Sequence, residues 1–263
     1  MTDFGARYGP WAVVAGASEG LGAAFARALA DRGLNLILVA RRREPLIALA
    51  EVLPTEAVPV VADLATEAGL DTVLAAASNR EVGLVVANAA YSPIGAFVTL
   101  SLTESLRALD LNCRALLHLA HHFLPPMTER GRGGFVVMSS LAGLQGSPPI
   151  SVYAATKSFG AVLAEGLWAE LRGTGVDVVA CVAGAVETPG LVGSKAKRAP
   201  GTLTPDKVAT AALRGLRRGP RVVPGLAMRL SSAVMSRLPR RTAIAIISRA
   251  SRDLTPPAAS PSS

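Results

Sequence analysis

Cysteine is scarce in this chain, and its two copies, Cys113 and Cys181, lie far apart inside apolar patterns. Neither a disulfide framework nor a metal-binding spacing can be built from them, so a reducing cytoplasm is the expected setting. The three histidines, His118, His121 and His122, crowd one helical stretch without a carboxylate or cysteine accompanying them locally, and no metal is expected. Aromatic residues are only 4% of the chain. Arginine without interleaved rings is poorly suited to stacking on single strands, so no nucleic-acid partner is expected. Long apolar runs are missing as well. The uncharged stretches 82–103 and 133–156 are both broken by Pro, Gly, Ser or Asn, and neither is the continuous run of roughly 20 apolar residues that a membrane span needs. Residues 1–10 are mixed and polar, which does not read as a targeting segment.

Acidic residues are unevenly spread. Residues 1–189 carry 13 Lys/Arg against 17 Asp/Glu, whereas residues 190–263 carry 14 against 2. The formal net charge of +8 therefore belongs to the C-terminal section, which proposes an anionic partner there and says nothing of the chemistry upstream.

What is present is alternation. Residues 11–15 (W-A-V-V-A) form a short β-type run, followed by G-A-S-E-G-L-G and a helical pattern through Arg32. In that context Gly16, Gly20 and Gly22 allow a tight turn and close backbone approach, and the next helix offers free N–H groups to a pyrophosphate. The spacing is G-x-x-x-G-x-G, not the commoner G-x-G-x-x-G. Residues 35–40 form a second strand, followed by Arg41-Arg42-Arg43, with no carboxylate until Glu44. An acid there suits a ribose 2′-hydroxyl and arginine a 2′-phosphate, so NADP(H) is favoured over NAD(H). Further strands are expected at 57–62, 83–87, 135–138, 176–182 and 221–223, with helical stretches at 66–78, 103–124 and from 204. This pattern predicts an α/β fold, a doubly wound parallel sheet of about seven strands with helices on both faces. Ligands in such sheets bind beyond the carboxyl ends of the strands, where Asp63, Asn88 and Ser140 fall. Asn112, inside a helix, is read as a solvated residue or as a water-holding or kink-forming position.

Tyr153 and Lys157 are four residues apart in an amphipathic helical segment and share one face. A free phenol has a pKa of about 10. A neighbouring ammonium favours the phenolate and is expected to lower that value, as a tyrosine acid/base near pH 7 requires.

Taken together these motifs resemble the short-chain dehydrogenase/reductase family over nearly all of residues 10–225, in an NADP-dependent branch similar to hydroxysteroid dehydrogenases and ketoacyl-type reductases. The glycine motif is Ala15-Gly16-Ala17-Ser18-Glu19-Gly20-Leu21-Gly22, N-N-A-G appears as Ala87-Asn88-Ala89-Ala90, and P-G-x-x-x-T as 183–188. Alanines at 15, 87, 90 and 183 are departures from the pattern. The resemblance implies Asn112, Ser140, Tyr153 and Lys157 as catalytic residues. It implies a cofactor site of Gly16, Ser18, Glu19, Gly20, Leu21, Gly22, Arg41, Arg42, Asp63, Leu64, Asn88, Ala89, Ala90, Tyr153, Lys157, Val186 and Thr188. In that scheme Lys157 holds the nicotinamide ribose, Asn112 holds a water that relays protons, and Thr188 with the Val186 backbone fixes the carboxamide. The implied activity is NADPH-dependent reduction of a hydrophobic ketone, or oxidation of the alcohol, on a steroid-like, fatty-acyl or other lipid-like substrate. The alternative is an inactive NADP-binding regulatory or membrane-peripheral protein. A homodimer or homotetramer is implied as well.

The substrate loops 91–100 and 141–152 carry no charge, while 191–203 holds Lys195, Lys197 and Arg198 and reads as a flap. The expected division is a catalytic domain at 1–225, a basic amphipathic helical extension at 226–253 and a disordered tail at 254–263. The extension reads either as an interfacial helix contacting anionic membrane or as an ordinary packed or oligomer-forming segment.

Overall fold

The computed structural model describes residues 3–187 and 201–250. Seven strands form one parallel sheet in the order β3-β2-β1-β4-β5-β6-β7. The strands are β1 (Trp11–Ala15), β2 (Asn35–Ala40), β3 (Ala57–Val61), β4 (Val82–Ala87), β5 (Gly133–Ser140), β6 (Val176–Ala183) and β7 (Arg221–Val222). The inner strands are Val/Leu/Ile/Ala runs because a parallel sheet covered by helices is apolar on both faces. Ala12 to Val14, Leu36 to Val39 and Leu84 to Val86 are all fully buried.

One face is covered by α1 (Asp3–Tyr8), α2 (Gly20–Ala30), α3 (Arg43–Glu51) and α8 (Pro205–Gly215). The other carries α4 (Glu67–Ala77), α6 (Ala115–Glu129) and α7 (Ser151–Glu170), with α5 (Leu102–Leu109) leading into α6. Helix starts are capped from the sequence. Thr66 accepts from the Gly69 N–H ahead of α4, and Ser101 accepts from Glu104 N–H in an S-x-x-E arrangement ahead of α5. Two further helices, α9 (Leu226–Met235) and α10 (Arg240–Ala250), flank Pro239.

Three differences from the sequence reading have physical causes. Residues 3–8, read as a polar lead, form α1, whose Tyr8 is buried and donates to Asp177 at 2.6 Å beside Arg7. That buried phenol is pushed up by desolvation and by the Asp177 carboxylate. The helix expected at 103–124 runs on through Pro125 and Pro126 to Glu129, holding Phe123, Leu124 and Met127 in the core. Between α5 and α6 the chain widens into a π-helical turn at Asp110–Arg114, centred on Asn112. Such widenings concentrate at functional sites, and of the readings open for Asn112 the solvated one is excluded, since it is buried.

Candidate active site

The carboxyl ends of β1, β2 and β4 open onto a cavity of about 180 Å³ lined by Gly16, Ser18, Glu19, Arg41, Arg42, Asp63, Leu64, Ala89 and Ala90. Gly16 has φ +76°, a conformation that favours glycine. Gly22 is required for a different reason: a Cβ there would lie 1.9 Å from the Gly16 carbonyl oxygen. Its absence lets the first turn of α2 sit against the loop. Asn88 donates to the carbonyls of Ala15 at 3.2 Å and Gly16 at 3.1 Å, tying β4 to this turn.

The arginines divide. Arg42 pairs with Glu19 at 2.6 Å and reaches the Ser18 hydroxyl at 3.4 Å. Arg41 has no ion pair among the described residues and lines the cavity. Asp63 accepts from Arg107 at 2.8 Å and from the Ala65 N–H at 3.1 Å, so its carboxylate is engaged by protein.

A second cavity, of about 330 Å³, adjoins the first through Ala90. Leu21, Asn88, Ser140, Tyr153, Lys157 and Val186 all line it, with Met138, Gly184 and Ala185. Successive strand residues point to opposite sides of a sheet, and β5 uses this at its end. Ser139 turns towards α7, donating to the Lys157 carbonyl at 2.7 Å. Ser140 turns towards the cleft, where it lines the same cavity as the Tyr153 phenol and accepts from the Ala142 N–H at 3.2 Å. Lys157 is buried, with its Nζ donating to the Met138 carbonyl at 2.8 Å and lying 5.6 Å from the centroid of the Tyr153 ring.

The electrostatics correct one expectation. The Tyr153 phenol is raised above its ordinary range, chiefly by burial, with the Ser140 hydrogen bond pulling the other way. Burial also lowers the Lys157 ammonium to about 8. Desolvation penalises whichever form carries charge, so here it opposes the phenolate instead of the ammonium promoting it.

Asn112 closes the site from behind. Its Oδ1 accepts from the Tyr91 N–H at 2.8 Å, and its Nδ2 donates to the Tyr91 carbonyl and the Thr156 hydroxyl, each at 2.9 Å. Asn112, Thr156 and Lys157 border a cavity of about 20 Å³, room for one water. Gly20 stands at the start of α2 with φ +54°. Thr188 and most of the flap at 191–203 lie outside the described residues.

Several participants escaped the sequence reading. Ser139, Met138 and Thr156 act through hydrogen bonds that no spacing announces. The two loops expected to build the substrate pocket, 91–100 and 141–152, are joined by Gly95 N–H to the Pro149 carbonyl at 3.0 Å. The C-terminal helices fold back onto these loops. Arg240 donates to the Leu144 carbonyl at 2.8 Å, Met228 abuts Gly184, and Ile244 approaches Gly146.

A nucleotide cradle beside a Ser-Tyr-Lys cluster, on a sheet of this order, has close counterparts. The family profile for short chain dehydrogenases matches residues 10–199. The 7β-hydroxysteroid dehydrogenase of Clostridium sardiniense is 32% identical over 191 residues, 71% of this chain and 73% of that protein. A solved structure concerning 7β-hydroxysteroid dehydrogenase stereoselectivity superposes with a TM-score of 0.87 at 27% identity, covering 93% of this chain and 98% of that one. A short-chain dehydrogenase from Sphingobium yanoikuyae in complex with NADPH gives 0.76 at 31% identity, over 88% and 97%. The chain belongs to the short-chain dehydrogenase family and is an oxidoreductase. Among the described residues no helix is long and apolar enough to cross a membrane.

Proposed function

We propose that this chain is an NADP(H)-dependent carbonyl reductase, or alcohol dehydrogenase in reverse, acting on a hydrophobic ketone or secondary alcohol of steroid-like, fatty-acyl or other lipid-like form. The observation that carries the reading is the meeting of Ser140, Tyr153 and Lys157 in one cavity that adjoins the arginine-lined cradle. The cradle suits the dinucleotide. Glycine backbone and the α2 N-terminus suit a pyrophosphate, and Arg41, without an ion pair among the described residues, suits a 2′-phosphate. The 7β-hydroxysteroid dehydrogenases and the NADPH complex among its relatives support the same choice of substrate class and cofactor.

NADPH, when bound, supplies the hydride that a carbonyl carbon takes up. Tyr153 supplies the proton for the carbonyl oxygen, and its raised pKa keeps that proton in place at neutral pH. Ser140, in the same cavity as the phenol, orients the oxygen between two hydroxyls. Lys157 would hold the ribose of the bound cofactor and return a proton to Tyr153, with Asn112 and Thr156 bordering the small cavity behind it that has room for a water. Uncharged loops 91–100 and 141–152 form the mouth, a lining that favours an apolar substrate. The chemistry falls within residues 1–225, and 226–250 cover the mouth.

The test is NADPH oxidation across a panel of steroid, fatty-acyl and bulky aromatic ketones, with NADH in parallel. Turnover of at least one hydrophobic ketone, with NADPH preferred by about tenfold or more, is expected. Tight NADPH binding with no ketone consumed would leave the chain a binding protein.

A further inference from the structure

Helices α9 and α10 each show one face to the protein and one to solvent. On α9, Met228, Ser232 and Met235 face inward. Leu226, Leu230 and Val234, at i, i+4 and i+8, are 70%, 60% and 59% exposed, with Ala227 and Ala233 beside them. On α10, Ala243 is buried and Ile244, Ile247 and Ser248 are half-buried, while Arg241, Ala245, Ile246 and Arg249 are exposed. Between Asp206 and Asp253 the sequence holds 11 Lys/Arg, no carboxylate and no aromatic ring. Arg229, Arg237 and Arg240 donate to backbone carbonyls. Neither these three nor Arg241 and Arg249 have an ion pair among the described residues.

We propose that the outward faces of α9 and α10 dock onto an anionic lipid bilayer, with the apolar side chains entering the headgroup boundary and the arginines meeting lipid phosphates and carboxylates. Apolar residues flanked by uncompensated arginine on a short helix match an element lying in the interface plane. At 10 residues α9 is about 15 Å long, too short to span. Charge selects the occupant. A second copy would bring the same unpaired arginines against these, with no acid to meet them. A nucleic acid would find no ring to stack on. The inward faces of the same helices touch Gly184, Gly146 and Leu144, so docking sets the pocket mouth about one helix diameter, ~10 Å, from the lipid surface.

The test is flotation of the full chain with vesicles of phosphatidylcholine alone and of equal parts phosphatidylcholine and phosphatidylserine. It needs no turnover, so it is independent of the hydride chemistry. Binding to the anionic vesicles only is expected, falling at least tenfold at ~1 M NaCl, where the screening length is about 3 Å. Leu226→Ser/Leu230→Ser/Val234→Ser should abolish it with an unchanged melting temperature, since all three side chains are exposed. Arg241→Gln/Arg249→Gln should weaken binding several-fold and flatten its salt dependence. Indifference of the parent to anionic vesicles at low salt would overturn the proposal, as would equal binding to neutral ones or full binding by the triple-serine variant. A triple-serine variant that changes the oligomer on a sizing column while lipid binding persists would assign the face to a protein contact instead.

Discussion

Arginine is used in two ways in this molecule, and the boundary between them is not where the sequence alone puts it. In the sheet-and-helix body, many arginines find carboxylates, among them Arg7 with Asp177, Arg42 with Glu19, Arg107 with Asp63, Arg114 with Asp110 and Arg132 with Glu81. The pairing continues past residue 190, with Arg217 meeting Asp3 and Arg221 meeting Glu165. Among the described residues no ion pair is made from the start of α9 onward, so part of the excess charge that composition assigns to the stretch after residue 189 stands uncompensated on two peripheral helices. Exposed pairs contribute only about 0–1 kcal/mol each, so pairing is not what holds the body together. Its effect is to leave the body little field of its own, while the C-terminal helices keep theirs.

Lys157 is the buried cation of the body, with a backbone carbonyl in place of a carboxylate, and replacing it should produce the largest effect. Lys157→Met should lower turnover by roughly 10²–10⁴-fold or more, since it removes proton handling and a cofactor contact together. It should also make the cofactor-free protein more stable at pH 7, by up to about 3 kcal/mol, because the shift from 10.5 to about 8 records a penalty for burying the ammonium. Between pH 8 and 10.5 the unfolded chain binds the proton and the folded chain has released it. The parent should therefore gain stability relative to the variant as pH rises through that window. Denaturant melts at both ends check this, and a constant gap would mean that the amine titrates normally. Exposed Arg241→Gln should shift stability by no more than about 0.5 kcal/mol.

Arg41→Ala comes next. It should weaken NADPH binding about tenfold and leave NADH nearly unchanged, as titration of both dinucleotides will show. Equal losses would place Arg41 away from the 2′-phosphate. The smallest effect belongs to Arg240→Ala, which cuts the link from α10 to the Leu144 carbonyl. KM for the ketone should rise roughly fivefold, the worth of about 1 kcal/mol, while NADPH affinity stays put. A change in NADPH affinity instead would mean that α10 steadies the cradle, not the mouth.

The sheet and its order of elements were legible because each inner strand is a run of apolar residues and several of the turns carry a glycine or a helix cap. The placement of the glycine turn, Arg41 and the Tyr153–Lys157 pair around the two cavities was legible because it depends on spacing along one element. What depends on contact between distant elements was not. Nothing local distinguishes Ser139 from Ser140, or marks Tyr8 as a buried residue waiting for Asp177. The π-helical turn at Asn112 answers to Tyr91 and Thr156, which lie 21 and 44 residues away. The direction of the Tyr153 shift was missed for the same reason, because burial is a property of the assembled cleft while the i, i+4 ammonium is visible in the sequence.

That direction carries a consequence for pH. A phenol held above its ordinary range stays protonated at neutral pH, so the limb of ketone reduction that belongs to Tyr153 should lie above the free phenol's value of about 10, while loss of the Lys157 proton should give a separate, earlier limb near pH 8. A Tyr153 limb near neutrality would restore the ammonium as the dominant influence.

The most direct measurement is single-turnover reduction by Tyr153→Phe on whichever ketone the panel identifies, alongside its NADPH affinity. The ring still packs and only the hydroxyl is lost, so NADPH should bind as in the parent while the rate falls by roughly 10²–10⁴-fold. A rate within a few-fold of the parent, at unchanged NADPH affinity, would show that Tyr153 is not the proton donor and would contradict the mechanism proposed for this site.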